Sequence, residues 1–305
     1  PVFFILVEIP GTEKSHTGTS IPVSMMCSAA LLGNSVLLVT ITKEHSLHEP
    51  MHIFLCMLAV CSLLLSTATM HKTLIILQSL STQISFSGCL VQLFSIYFIF
   101  VVELAILLVM AFDQYIAMCN PLRYMAILTR SVVGKVGVEA LIRSFCIMFP
   151  AVFLRKQLPY CWHNVMPHTF CEHIGMARLA CTGISVNIWY GVAAGFLSAG
   201  LDAISIAISY ALIFRCLWGL PSPRASPTAL HTCSSHLCVI AMFYTPAFSF
   251  LVHWFGQHIP CLYITVLPML KPITYRVRTR QIWEHVAHLL GRAWAAGHSW
   301  AGGNR

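Results

Sequence analysis

Met110-Ala-Phe-Asp-Gln-Tyr-Ile-Ala-Met-Cys-Asn-Pro-Leu-Arg-Tyr124 is the stretch on which the fold turns. It closes an apolar run that begins near Leu90 and sets Asp113, Gln114 and Tyr115 where that run gives way to polar sequence. From Leu90 to Tyr115 the run exceeds the roughly 20 residues a helix needs to cross a bilayer, so the polar trio sits at a membrane boundary.

The rest of the chain follows the same plan. Of its 305 residues 57% are hydrophobic and 9% charged, whereas soluble domains carry about a quarter charged residues. Apolar segments recur at Ile21–Thr42, Ile53–Gln78, Leu90–Tyr115, Val132–Leu154, Asn187–Trp218, Leu237–Val252 and Ile259–Tyr275. The expected fold is therefore an all-α membrane protein, a seven-transmembrane helix bundle. It divides into an extracellular N-terminal tail (1–20), the seven-helix domain (21–275) and a cytoplasmic amphipathic helix and tail (276–305). No basic segment, apolar core and cleavage site precede Ile21, so the first span is expected to act as its own insertion signal. No Asn-X-Ser/Thr sequon occurs.

The net charge of +8 is explained by its distribution. Lys43, Arg123, Arg130, Lys135, Arg215, Arg224, Arg276, Arg278 and Arg280 fall at the span ends assigned to the cytoplasm, and Lys14, Arg155, Lys156 and Arg178 are left outside. That is the positive-inside bias, and no nucleic-acid partner is expected. It orients the chain with its N-terminus outside.

The seventh segment is short. Ile259–Tyr275 holds 17 residues, about 26 Å of helix against roughly 30 Å of hydrocarbon. Beyond it Ile282, Val286, Leu289 and Leu290 share one helical face under a basic start, the pattern of an amphipathic helix on the inner leaflet.

Thirteen cysteines are present. Cys27, Cys56, Cys61, Cys119, Cys146, Cys216 and Cys238 lie in spans or near the cytosol and are expected to be small buried thiols. Cys89, Cys161, Cys171 and Cys181 face an oxidising compartment, and four cysteines allow three pairings. His163, His168 and His173 share the loop with three of them, but the spacing is no standard zinc site, so no metal is expected. Among intramembrane charges, Glu139 and Arg143 stand four apart and are expected to pair along one face of the fourth helix.

With these residues in view, the chain resembles odorant receptors of the rhodopsin-like G-protein-coupled receptor family, class I in particular. The resemblance is carried by Met110–Tyr124, by Ala229-Leu-His-Thr-Cys-Ser-Ser-His-Leu-Cys238 with Met242-Phe-Tyr-Thr-Pro246, and by the loop from Leu158 to Cys181. It implies a multi-pass place in the plasma membrane, and disulfides Cys89–Cys171 and Cys161–Cys181. It also implies a switch at Asp113, Gln114, Tyr115, Lys271, Pro272 and Tyr275 that couples to a stimulatory, olfactory-type heterotrimeric G protein. A pocket for a small-molecule odorant is implied near Tyr97, Leu251, His253 and Trp254. A sodium-pocket remnant is implied at Glu103 and Ser62. Asp202 fits the family pattern Gly-Leu-Asp.

Several positions depart from the family. Gln114 stands for its arginine, Lys271 for its asparagine, Ser62 for an aspartate, Thr228 for a basic residue, and Trp254 for the arginine that anchors carboxylic acids. The seventh helix is shorter than the family's by about ten residues, some three turns. The main expectation is an odorant receptor. The alternative is a signalling-deficient, pseudogene-like derivative of one. With neither cation nor histidine at Trp254 and Tyr97, weak response to short carboxylic acids is expected. No phosphate loop, nucleophile elbow or metalloprotease helix is found, and no cofactor or enzymatic activity is expected. Neither an internal repeat nor a charged path supports a transporter.

Overall fold

A computed structural model describes residues 3–6, 16–43, 50–77, 83–160, 165–166, 170–218, 233–234 and 236–245. The seventh segment, the C-terminal helix, Lys271, Pro272, Tyr275, Leu251, His253, Trp254 and Cys161 lie outside the described residues. Five described helices are long and apolar enough to span a membrane: α1 (His16–Lys43), α2 (Pro50–Leu77), α3 (Phe86–Cys119), α4 (Arg130–Lys156) and α5 (Ser185–Trp218). A shorter apolar helix, α6 (His236–Thr245), follows.

Each helix begins where sequence chemistry allows. Pro50 opens α2, where its missing N–H would have gone unused. Ser85 caps α3 by accepting a hydrogen bond from Gly88 N at 3.1 Å, and Thr129 caps α4 through Val132 N. At its far end α3 stops at Asn120, and Pro121 opens a 3-10 turn through Arg123.

Helix α3 is the axis of the bundle. It packs against α2, α4 and α5, and α1 packs against α2. Its 34 residues reach about 51 Å, longer than the membrane core. Leu104, Leu107, Met110 and Ala111 are fully enclosed. Helix α6 meets α3 through Phe243 stacked on Phe100, centroids 5.1 Å apart. Helix α4 turns Phe145, Phe149 and Phe153 outward in a stacked ladder, as a lipid-facing surface would.

Two irregular features matter for function. Helix α5 contains a π-helical turn at Phe196–Gly200, the kind of bulge common at functional positions. At the other extreme of α3, three short strands form a sheet in the order β2-β1-β3. They are β1 (Phe3–Leu6), β2 (Gln83–Ser85) and β3 (Val165–Met166). Strand β1 runs antiparallel to β2 and parallel to β3.

One expectation is corrected here. Cys146 and Cys238 are exposed, since they lie on the outward faces of α4 and α6. Arg155, at the outer end of α4, is fully buried, because it continues the inward stripe Val133, Ala140, Ser144, Met148 and Ala151.

Candidate functional site

The disulfide end is built around Cys89–Cys171, with an S–S distance of 2.08 Å. Gln92, one turn into α3, holds the same loop without a covalent bond. Its Oε1 accepts from Cys171 N at 3.2 Å and its Nε2 donates to Ala68 O at 3.4 Å. Cys181 is also disulfide-bonded.

Beside the disulfide lies a group that sequence reasoning missed. The Arg155 guanidinium donates to Ala151 O at 2.7 Å, to His173 O at 3.5 Å and to His173 Nε2. Among the described residues no carboxylate pairs with it. The His173 ring in turn stands edge-on to Tyr97, centroids 6.2 Å apart. Burial, reinforced by the Arg155 charge, pulls the His173 pKa down to about 3, so this imidazole is neutral at physiological pH. Burial also pushes the Tyr160 phenol up to about 12; its hydroxyl donates to Arg155 O at 3.0 Å. Gly191 of α5 permits the packing, because a Cβ there would come within 2.8 Å of His173 Cε1. Tyr97 is thus the expected pocket residue whose surroundings the structure defines.

In the middle of the bundle Arg143 corrects a second expectation. It does not pair with Glu139 on its own helix. Its Nη2 reaches Asp202 Oδ1 and Oδ2 on α5 at 2.9 and 3.0 Å, and also donates to Leu197 O and Ser198 O at 3.0 and 3.2 Å. The reason is the π-turn. It leaves carbonyls of α5 available to an outside donor, so Arg143 gains a carboxylate and two backbone acceptors together, which Glu139 could not supply. The Tyr244 hydroxyl of α6 is buried and lacks a hydrogen-bond partner among the described residues. Asp202 and Arg143 are within electrostatic reach of it. The ion pair itself joins α4 to α5, with Tyr244 of α6 near enough to feel its charge.

Ser62 and Glu103 do come together: the Ser62 hydroxyl donates to Glu103 Oε1 at 3.5 Å, and both residues are wholly enclosed.

At the opposite end Asp113 is buried, and its Oδ1 accepts from the Tyr124 hydroxyl at 2.8 Å. Gln114 is 3% exposed, and its Oε1 has no hydrogen-bond partner among the described residues. Tyr115 packs half-buried beside Ala111, Ile206, Tyr210 and Ile213. One further pair joins α5 to α6 there, Tyr210 Oη to His236 Nδ1 at 2.5 Å. The residue types were visible in the sequence, but their pairing across 26 positions was not.

Comparison with known proteins agrees with this geometry. A family model described as olfactory receptor matches residues 23–293. Olfactory receptor 52B2 of Homo sapiens is 50% identical over 297 residues, covering 94% of this chain and 92% of the relative. Olfactory receptor 52Z1P of Homo sapiens is 52% identical over 288 residues, covering 91% and 96%. Olfactory receptor 52D1 of Homo sapiens is 47% identical over 300 residues, covering 95% and 94%. A match of this breadth, on a bundle of apolar helices stapled by a disulfide at the head of α3, places the chain in the olfactory receptor family, whose members are multi-pass plasma-membrane G-protein-coupled receptors and not enzymes.

Proposed function

We propose that the chain takes up a small organic odorant between Tyr97 and the outer parts of the neighbouring helices, with the disulfide end outside the cell and the Asp113 end facing a stimulatory heterotrimeric G protein. The observation that carries this reading is the continuity of α3. One enclosed helix bears Tyr97 against His173 at one end and Asp113 against Tyr124 at the other. On this reading a change at the first is passed along α3 to the packed neighbours of the second. Between them, the ion pair of Arg143 and Asp202 joins α4 to α5 within electrostatic reach of Tyr244 on α6, a natural point for a bistable rearrangement.

A second reading has its own observation. A buried amide oxygen left unsatisfied at Gln114 is what a lost arginine would leave behind, and a neutral amide supplies no cation to a transducer. On that reading the chain binds but signals poorly. Lys271 and the short seventh segment point the same way from sequence.

The experiment is a cyclic-AMP reporter assay on surface-verified, end-tagged chain against a panel of volatile compounds. The expected result is output near background for the unmodified chain, with Gln114→Arg and Lys271→Asn insufficient unless residues are also inserted before Leu262. A strong odorant-evoked signal from the unmodified chain would overturn the signalling-deficient reading. Tags that both stain on one side of unpermeabilised cells would overturn the topology.

A further inference from the structure

We infer that the N-terminal strand β1 is a strap over the disulfide end, and that a small water-borne solute reaches Tyr97 from that end only when the strap lifts. The inference rests on the reading that this end faces outside and receives the ligand.

The strand alternates as a half-buried strand does. Phe4 and Leu6 are both 0% exposed, and Phe3 and Ile5 point away from the interior. The two inward side chains enter a cluster with the cystine of Cys89 and Cys171, with Leu90, Leu93, Met166 and Met176, and with Tyr97 against its edge. Three rings from separate parts of the chain close over it: Phe4 lies 5.9 Å from Phe86 and 5.8 Å from Tyr160, and those two are 5.4 Å apart.

The position of β1 in the sheet is the decisive point. It is the middle strand, pairing Phe3, Phe4 and Ile5 with Ser85, Ile84 and Gln83 on one side, and Ile5 and Leu6 with Val165 and Met166 on the other. Strands β2 and β3 do not pair with each other. Lifting β1 therefore opens the sheet along its centre line, directly above the cluster that Tyr97 flanks. The disulfide that ties the loop to α3 joins Cys89 to Cys171, and β1 holds no cysteine, so the strap can leave while the loop stays. Short ladders and two apolar side chains form a unit of the size that opens locally without global unfolding.

The test uses the full chain in cells. Ile5→Cys with Gln83→Cys pairs two directly opposed positions, so oxidation staples β1 to β2, with peptide mapping to verify the bond. Tyr97→Cys reports access through its rate of labelling by a small membrane-impermeant methanethiosulfonate, measured against the parent chain. Closing the staple is expected to slow labelling at position 97 at least tenfold relative to Ile5→Cys alone, and Phe4→Asp, which evicts the strap, to speed it. Equal rates with staple open and closed would overturn the inference, as would a position 97 that stays unlabelled in the Phe4→Asp background. Exposed Ser87→Cys serves as the topology control. If it reacts only after permeabilisation, the orientation reading fails, and the staple comparison is then made in permeabilised cells, where the same two outcomes decide it.

Discussion

The two ends of α3 treat buried polar groups in opposite ways. At the disulfide end the central groups are met: Arg155 has two carbonyls and an imidazole, Gln92 uses both halves of its amide, and the loop is closed covalently. At the other end Asp113 has the Tyr124 hydroxyl, but Gln114 beside it leaves a buried acceptor with no donor among the described residues. A satisfied polar cluster holds one arrangement, because any other leaves charges or amides unpaired. An unsatisfied one gives no such preference. The contrast separates an end of α3 held by paired polar groups from one where a buried amide is left over.

The largest effect is expected where the ends are joined. Arg143→Met would leave Asp202 buried and unpaired, at a cost of about 3 kcal/mol or more. Thermal unfolding in detergent should show a marked fall, mostly recovered in Arg143→Met with Asp202→Asn. If the single and double variants unfold alike, the ion pair is not what couples the helices. Next, Cys171→Ser is expected to lower stability by about 2–4 kcal/mol and to act on the disulfide end alone, read by faster hydrogen exchange in β1 to β3 with α6 unchanged. Exchange that rises equally at both ends would dissolve the distinction between them.

A third effect follows from pH. With its pKa held near 3 against about 6.5 unfolded, His173 binds fewer protons folded than unfolded between those values. Its contribution is complete above pH 6.5 and declines as pH falls toward 3. At pH 5 the loss amounts to about 2 kcal/mol at most. Melting curves at pH 7.5 and 5 should differ by less in His173→Phe than in the parent. Arg155→Met should retain most of the pH dependence, because burial is the larger cause. The smallest effect is at Gln114. Gln114→Leu removes an unsatisfied acceptor and is expected to be neutral or stabilising by up to about 1 kcal/mol. Clear destabilisation would mean that the amide has a role at rest.

What could be read in advance divides along a physical line. Span-length apolar runs announce membrane helices because lipid leaves the backbone no other option, and the five long described helices each begin or end within a few residues of the expected runs. The loop cysteines were legible as a group. Arg155 was legible too, had the spacing Ala140, Ser144, Met148, Ala151 and 155 been followed to the end of its stripe, since its period is helical. Arg143 could not be placed, because pairing with Glu139 is the local solution and Asp202 wins only through the π-turn, which no apolar pattern signals. The β1 strand was hidden for a related reason. Four residues of tail become a strand only when two loops supply their edges, and such non-local pairing leaves no mark in the tail.

The π-turn also carries a consequence for length. The inward residues after it, Asp202, Ile206, Tyr210 and Ile213, form one stripe, and those before it, Asn187 and Ala194, form another. The two stripes share a face only because the wide turn absorbs one extra residue. Rewinding Phe196–Gly200 as ordinary α-helix with every residue kept would swing the far half round by about 100° and carry Asp202 and Tyr210 off the inward face. Removing one residue together with the rewinding would bring the two stripes back into line, because the deletion takes out the position that the wide turn accommodates. Helix α5 can therefore lose one position in this turn and keep its inward stripe, whereas a substitution that straightens the turn at full length cannot.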